Sequence, residues 1–539
     1  MRHAKIAGAA FLSLASVLAT PVAAQDIEAR AAAMGRDLPP SYYTRIALDP
    51  TIYELSAGWR NRLASAATQE SAVAGVLNIA VIPTLFASSS PAPAVVSLTA
   101  LQTQLFDGPA SSTLSGFYTE ISLGQLEMRG TVAPWSPTSL TIAEVTGSSM
   151  GLGAGARIGP WLRESVAAAD AHIDFRQFDN DGPDGRPNSG DDDGRVDAAA
   201  FLFHEVDASC GGSGPWPHRS RISGWGGGPA ATNDIGAKGN PIVVNDYILL
   251  GASDCTGTKA LGSNVFAHEM GHVLGLPDYY DASGGLARDQ RRWVIGCWDL
   301  MSGGAWGCGS GPQPASMLPP HMGPLPKAQL KWITATLVPT NTRTKEFVLR
   351  PVRTSGDVLR VDLSATEYLL IEYRDRSGFD ADLPAAGVLV YRVVSGRAFL
   401  PCATCPRTYS YNLLEADGNA GLTRPEIAGG NRGEAGDLFL TGSSITRTSN
   451  PSTALNDGSL SSVEINSIVI DQIAKVARVT VSTALSAPMA TLTSARIIAA
   501  LADGGVSLTA EERAQLDEQG NRNGRFDIGD ARAYLRRNP

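Results

Sequence analysis

Histidine is scarce in this chain, with seven residues in 539, so two that fall within one helical turn are a concentrated feature rather than background. Positive charge is in deficit: 44 Lys and Arg stand against 53 Asp and Glu, and no basic run occurs. That excludes a general nucleic-acid binder, because a phosphate backbone would meet no broad basic face. Long apolar runs are missing too. The longest, IAGAAFLSLASVLA at residues 6–19, falls short of the roughly 20 residues needed to cross a bilayer. Preceded by MRHAK and followed by TPVAAQ, it reads instead as the middle of a signal peptide over residues 1–24, cut between Ala24 and Gln25. The expectation is a secreted chain with no stable membrane insertion. Cysteine is limited to six, an even number in three local groups, which suits disulfides in an oxidising compartment. Spacing favours Cys297–Cys308 and Cys402–Cys405, leaving Cys210 with Cys255.

What remains is globular in texture, 43% hydrophobic and 18% charged, and long enough for two to four domains. Residues 25–75 are rich in Ala and Arg and read as a pro-segment or N-terminal helical segment. From VLNIAVIPTLF onward strand-like and helical stretches alternate, which predicts a mixed α/β domain over 76–335. Alternating, β-branched runs such as KEFVLRPV, EYLLIEYR, GVLVYRVV and VARVTVST then predict a β-rich, sandwich-like domain over 336–485. Residues 486–539 form a small helical tail around a polar loop.

The chemistry concentrates in VFAHEMGHVLGLPDYYD, residues 265–281. His268 and His272, at i and i+4, project from one helical face and can share one ion, while Glu269 stands beside the first as a carboxylate able to take a proton from water. Zinc is the expected metal, since it accepts imidazole nitrogen and keeps an open position. Gly275 can adopt the left-handed conformation that ends a helix, which would bring Asp278 back as third ligand in an HExxHxxGxxD string. No glutamate occurs between Glu269 and Glu346, so a downstream Glu ligand has no local donor. Asp281 and Asp289 compete with Asp278 but lack its spacing from the glycine.

HEMGHVLGLPDYYD with WDLMSGGAW resembles the immune inhibitor A family of secreted bacterial zinc metalloproteases. LSGFYTEISLGQLEMRGTV, PPHMGPLPKAQLKWI and EYLLIEYRDRSGFDADLPAAGVLVYRV extend the resemblance across residues 76–485. It implies a metzincin-like catalytic domain with zinc on His268, His272 and Asp278. It also implies Glu269 as general base and then acid, and Met301 packed in a turn beneath the metal. A neighbouring tyrosine could stabilise the oxyanion; Tyr279 and Tyr280 are the nearest in sequence.

Two acidic loops suggest calcium. FDNDGPDGRPNSGDDDGRVD, residues 178–197, crowds aspartates between glycine turns, the composition of hard oxygen-ligand sites. Asp179, Asp181, Asp191, Asp193 and Asp197 are the candidate ligands, with Val196 as an apolar anchor and structural Ca2+ as the cofactor. The second loop, QGNRNGRFDIGD, is similar to a dockerin or EF-hand loop, with Asn521, Asn523, Asp527 and Asp530 as candidates. It lacks the opening Asp and a second loop, and a docking partner for the tail is a corollary of that similarity.

The reading is a secreted zinc-dependent endopeptidase made as a zymogen and acting on proteins or peptides. The rival from another class is a calcium-dependent surface-attachment or binding protein with an inactive metallopeptidase domain; the intact Glu269 and ligand set argue against it. A zinc hydrolase acting on other bonds has the same motif.

Overall fold

A computed structural model describes residues 72–539, apart from short stretches within 148–154, 284–287, 312–317, 398–407, 485–491, 506–524 and 538–539. The signal peptide, nearly all of the 25–75 segment and the Cys402–Cys405 pair lie outside the described residues. The first sheet is built from β1 (Gly75–Leu85), β2 (Leu126–Val132), β3 (Ser136–Pro137), β4 (Ala198–Phe203), β5 (His218–Arg221) and, after a hairpin of β6 (Ala230–Ile235) and β7 (Pro241–Val244), β8 (Asp246–Gly251). Its order is β2-β1-β4-β8-β5, with β3 beside the end of β1. The strands are parallel except for the antiparallel edge strand β5.

Parallel strands are covered on both faces, so they need apolar residues on both, which is why β4 reads AAAFLF without alternation. Leu77, Ile79, Val81, Ala200 and Leu202 face α1 (Leu114–Ile121) and α3 (Ser263–Val273). Ala80, Ile82, Phe201, Phe203 and Leu249 face α2 (Ile158–Ala169) through Trp161, Leu162 and Val166. This three-layer arrangement leaves α3 almost wholly buried, and the Tyr118 hydroxyl of α1 donates to the Ala267 carbonyl at 2.6 Å. After α4 (Pro324–Gln329) the α/β layers end.

The β-rich region follows: β9 (Thr336–Leu337), β10 (Lys345–Leu349), β11 (Val358–Asp362), β12 (Glu367–Arg374), β13 (Gly387–Val394), β14 (Tyr411–Leu413), β15 (Glu464–Asp471) and β16 (Val476–Ser482). A five-stranded sheet, β14-β13-β12-β11-β9, packs on a three-stranded one, β10-β16-β15. Leu369, Ile371, Val388 and Val390 meet Ile465, Ile468, Val479 and Val481 between the sheets. The alternate residues Leu370, Leu389, Tyr391 and Val393 belong to the core of the α/β region. The larger sheet is therefore buried on both faces and joins the two regions. In the tail, α5 (Ser494–Ala502) and α6 (Ile528–Arg537) share a separate core of Leu492, Ile497, Leu516 and Tyr534. Among the described residues no helix is long and apolar enough to cross a membrane.

Arg374 crosses the junction. Fully buried, it donates to Asp380 at 2.6 and 2.7 Å, to Glu372 at 3.0 Å and to the Trp298 carbonyl at 3.2 Å. Removing one partner of a buried ion pair leaves the others charged and unpaired, at a cost of about 3–5 kcal/mol. Arg374→Ala is expected to lose that much stability in urea unfolding, whereas Arg350→Ala, at a solvent-screened surface pair with Asp357, should change it far less. Equal, small losses would contradict the role given to Arg374.

Candidate metal centre

The centre begins with how α3 ends. Gly275 has φ 92°, its N–H donates to the His272 carbonyl at 3.0 Å, and the Leu276 N–H donates to Gly271 at 3.1 Å. These are the two bonds of a Schellman ending, which needs a left-handed residue at that position. The reversed chain carries Asp278 back against the helix. Its Oδ1 lies 3.1 Å from His268 Nε2 and 3.4 Å from His272 Nε2. Among the described residues these three form a group able to hold one ion.

The other ring nitrogens are engaged. His268 Nδ1 is 2.9 Å from the Leu300 carbonyl and His272 Nδ1 is 2.7 Å from the Leu276 carbonyl. A carbonyl only accepts, so each Nδ1 carries a proton there, and Nε2 is the ring nitrogen that faces Asp278 and that a metal would take. That is the tautomer and backing a metal-ligating imidazole has, and the nitrogen and oxygen donor set suits zinc. Burial disfavours charge on His268, but the Asp278 carboxylate overrides it and raises the imidazole to about 9. Asp278 is correspondingly held far below the usual carboxylate range, its own burial outweighed by His272 and His268. Glu269 is buried next to both rings, and desolvation raises its pKa.

Leu300 belongs to the turn that carries Met301. Asp299, buried, accepts from Met301 N–H at 2.9 Å, and the Met301 carbonyl accepts from Tyr279 N–H at 2.7 Å. The Cys297–Cys308 disulfide closes this segment, as its short spacing favoured, and Cys210–Cys255, the pair that remained, ties the loops after β4 and β8. Met301 lies directly under α3: a Cβ added to Gly271 would stand 2.3 Å from its Sδ. Sequence reading passed over Gly271, yet a small residue one position before His272 is what lets the sulfur approach the helix.

The remaining candidates sort by their partners. Asp281 is tied to Tyr409 at 2.7 Å and Arg292 at 3.3 Å, and neither it nor Asp289 joins the histidines. Tyr279 is buried, with its hydroxyl on Gln329 at 2.7 Å, so it packs. Tyr280 is half-buried and stacks beside His268 with centroids 6.5 Å apart, under the Arg291 guanidinium. His218 is fixed between the Trp216 carbonyl and Tyr247, and His321 between Glu120 and Lys327.

In the loop at 178–197 three of five candidates converge: Asp179, Asp181 and Asp197, all buried. Asp179 Oδ1 and Asp197 Oδ1 find no hydrogen-bond donor. Burial first, then the charges of neighbouring aspartates, raise Asp179 and Asp181 to about 7. Asp193 contributes to that repulsion without joining the group, being turned to the Arg195 N–H at 2.9 Å. Asp191 does not join either: it is exposed and accepts from Ser189 and from Asp184 N–H, because the turn at Ser189 points it outward. Asp192, which the sequence reading passed over, is the buried neighbour, accepting from Gly182 N–H at 2.7 Å. In the tail, Asn521 and Asn523 lie outside the described residues. Asp527 and Asp530 cap α6, accepting from Gly529 N–H at 2.7 Å and Asp527 N–H at 2.8 Å.

An α/β region whose buried central helix carries two histidines and a glutamate, with a partly buried aspartate returned against them after the helix end, is zinc-metalloprotease-like. Residues 99–333 match the family model described as immune inhibitor A peptidase M6, catalytic domain, a metzincin-like zinc metalloprotease family. The chain is also 30% identical over 239 residues to immune inhibitor A of Bacillus thuringiensis subsp. alesti. That alignment covers 40% of this chain and 32% of the relative, so the match spans about a third of the relative's length. β1, which lies at the heart of the sheet, precedes the matched segment.

Overpacking a tight contact costs about 1–3 kcal/mol. Gly271→Ala is therefore expected to lower the thermal midpoint by several degrees as Met301 is displaced; an unchanged midpoint would show that the approach is not needed.

Proposed function

We propose that this chain is a secreted zinc endopeptidase that hydrolyses peptide bonds in proteins. The observation that carries the reading is the convergence of His268 Nε2, His272 Nε2 and Asp278 Oδ1 with both Nδ1 atoms tied to carbonyls. Zinc bound there would supply a Lewis acid for the scissile carbonyl and lower the pKa of a water toward 7. Glu269, desolvated at the same place, takes the proton from the attacking water and delivers it to the leaving nitrogen. Tyr280, whose half-buried ring lies beside His268 under Arg291, is the tyrosine we assign to donate to the developing oxyanion. Met301 packs under the ligands without meeting substrate. Residues 1–24 and 25–75 fit export followed by removal of a pro-segment.

The loop at 178–197 fits a structural calcium ion on Asp179, Asp181 and Asp197. Three buried carboxylates, two of them with an oxygen lacking a donor, are costly to ionise unless a hard cation sits among them.

Glu269→Gln keeps the shape of the side chain but not its basicity. It is expected to slow casein cleavage by about 10²–10⁴-fold with zinc content unchanged; undiminished cleavage would sink the assignment. For calcium, millimolar addition should raise the thermal midpoint of the chelator-treated wild type, and Asp181→Asn should lose most of that rise. An identical rise in the variant would remove calcium from this loop.

A further inference from the structure

Another group of carboxylates lies in the β-rich region, outside the segment that matches the family model. After β14 the chain presents Glu415 and Asp417, and a short turn at Ala435–Asp437 brings Asp437 alongside. Main-chain bonds hold the two stretches together, Ala416 N–H to the Asp437 carbonyl and Asp417 N–H to the Gly436 carbonyl, each 3.1 Å. One carboxylate oxygen from each of the three acids lies within 4.8 Å of the others. Glu415 is buried, Asp437 is fully buried and Asp417 is at the surface.

A cluster of acids alone is common; the state of Asp437 is not. Its Oδ2 accepts from the Trp298 indole N–H at 2.7 Å and from Glu434 N–H at 2.9 Å, but its Oδ1 is buried without any hydrogen-bond donor. Among the described residues no basic side chain pairs with Glu415, Asp417 or Asp437, and the nearby Arg432 is committed to Glu426 at 2.6 Å. Burial and the neighbouring carboxylates push Glu415 up to about 7 and Asp437 up to about 6. Glu434 adds further charge at the rim, held by Asn419 and Asn431 at 2.9 and 3.0 Å. A buried carboxylate oxygen lacking a donor, in an all-oxygen group lacking a counter-ion, calls for a cation.

We propose that Glu415, Asp417 and Asp437 form a second hard-cation site, of the calcium class, that clamps the loop 415–437 onto the segment carrying Met301. Oxygen-only donors of mixed burial suit calcium over zinc or other nitrogen- and sulfur-seeking ions. The clamp is visible in the backbone. Cys297 N–H donates to Arg432 at 2.6 Å, Arg432 N–H to Gly309 at 2.8 Å, Gly309 N–H to Gly433 at 2.8 Å and Val294 N–H to Leu422 at 2.8 Å. Trp298, two residues before the carbonyl that orients His268, hydrogen-bonds directly to a proposed ligand. Cation binding itself is independent of the zinc reading; an effect on the histidine centre rests on it.

Terbium tests the site in the full chain, because an ion beside Asp437 lies close enough to the Trp298 indole for tryptophan excitation to drive its emission. After treatment with a calcium chelator, the wild type should show terbium emission that calcium displaces. Asp417→Asn, a surface change, should weaken calcium competition by about tenfold or more with the fold checked by circular dichroism, and Asp437→Asn should abolish the emission. Asp181→Asn, in the other acidic loop, should leave that component intact. Wild-type emission and calcium affinity in folded Asp417→Asn, or no sensitised emission in the wild type, would overturn the proposal, whatever the casein assay of Glu269→Gln returns.

Discussion

Two hydrogen bonds to main-chain carbonyls organise this molecule's chemistry: His268 to Leu300 and His272 to Leu276. Each holds a proton on Nδ1 and so turns Nε2, the nitrogen a metal would take, to the side where Asp278 arrives. The two carbonyls come from different places. Leu276 follows from the helix ending itself, because the turn at Gly275 that returns Asp278 also delivers the carbonyl that orients His272. Leu300 comes from the methionine turn, so the orientation of His268 depends on everything that holds that turn in place.

What holds it extends well beyond the α/β layers. Asp299, at the start of the turn, meets Tyr411 of β14 at 3.3 Å. Trp298 is bonded to Asp437, and its carbonyl accepts from Arg374 of β12. The five-stranded sheet is apolar on both faces because one serves the sandwich and the other serves the core beneath the metal centre. The β-rich region is thus a support for the floor of the site as well as a separate surface.

Much of this was legible in sequence, for identifiable reasons. The i, i+4 histidines, the glycine at the helix end and the aspartate after it are local features, so spacing carried them. The strands from KEFVLRPV to VARVTVST stand where β-branched alternation put them, and β1 lies in the VLNIAVIPTLF run that opened the α/β alternation. Non-local facts were not legible. Spacing could not tell that Asp191 turns outward while Asp192 turns in, because that depends on the turn at Ser189. Nor could it show that Gly271 makes room for Met301, or that Glu415 and Asp437, 22 positions apart, share one site. The two tyrosines after Asp278 look alike in sequence and separate only in the fold, where Tyr279 is consumed by Gln329 and Tyr280 lies beside His268.

The central claim is that zinc is held by two imidazoles and one aspartate, each imidazole through Nε2. Zinc X-ray absorption on the purified full chain tests it most directly. The account predicts one zinc per chain, two imidazole nitrogens at about 2.0–2.1 Å, oxygen in the remaining positions and no sulfur. A thiolate shell, a third imidazole, or a zinc shell unchanged in Asp278→Ala would contradict it.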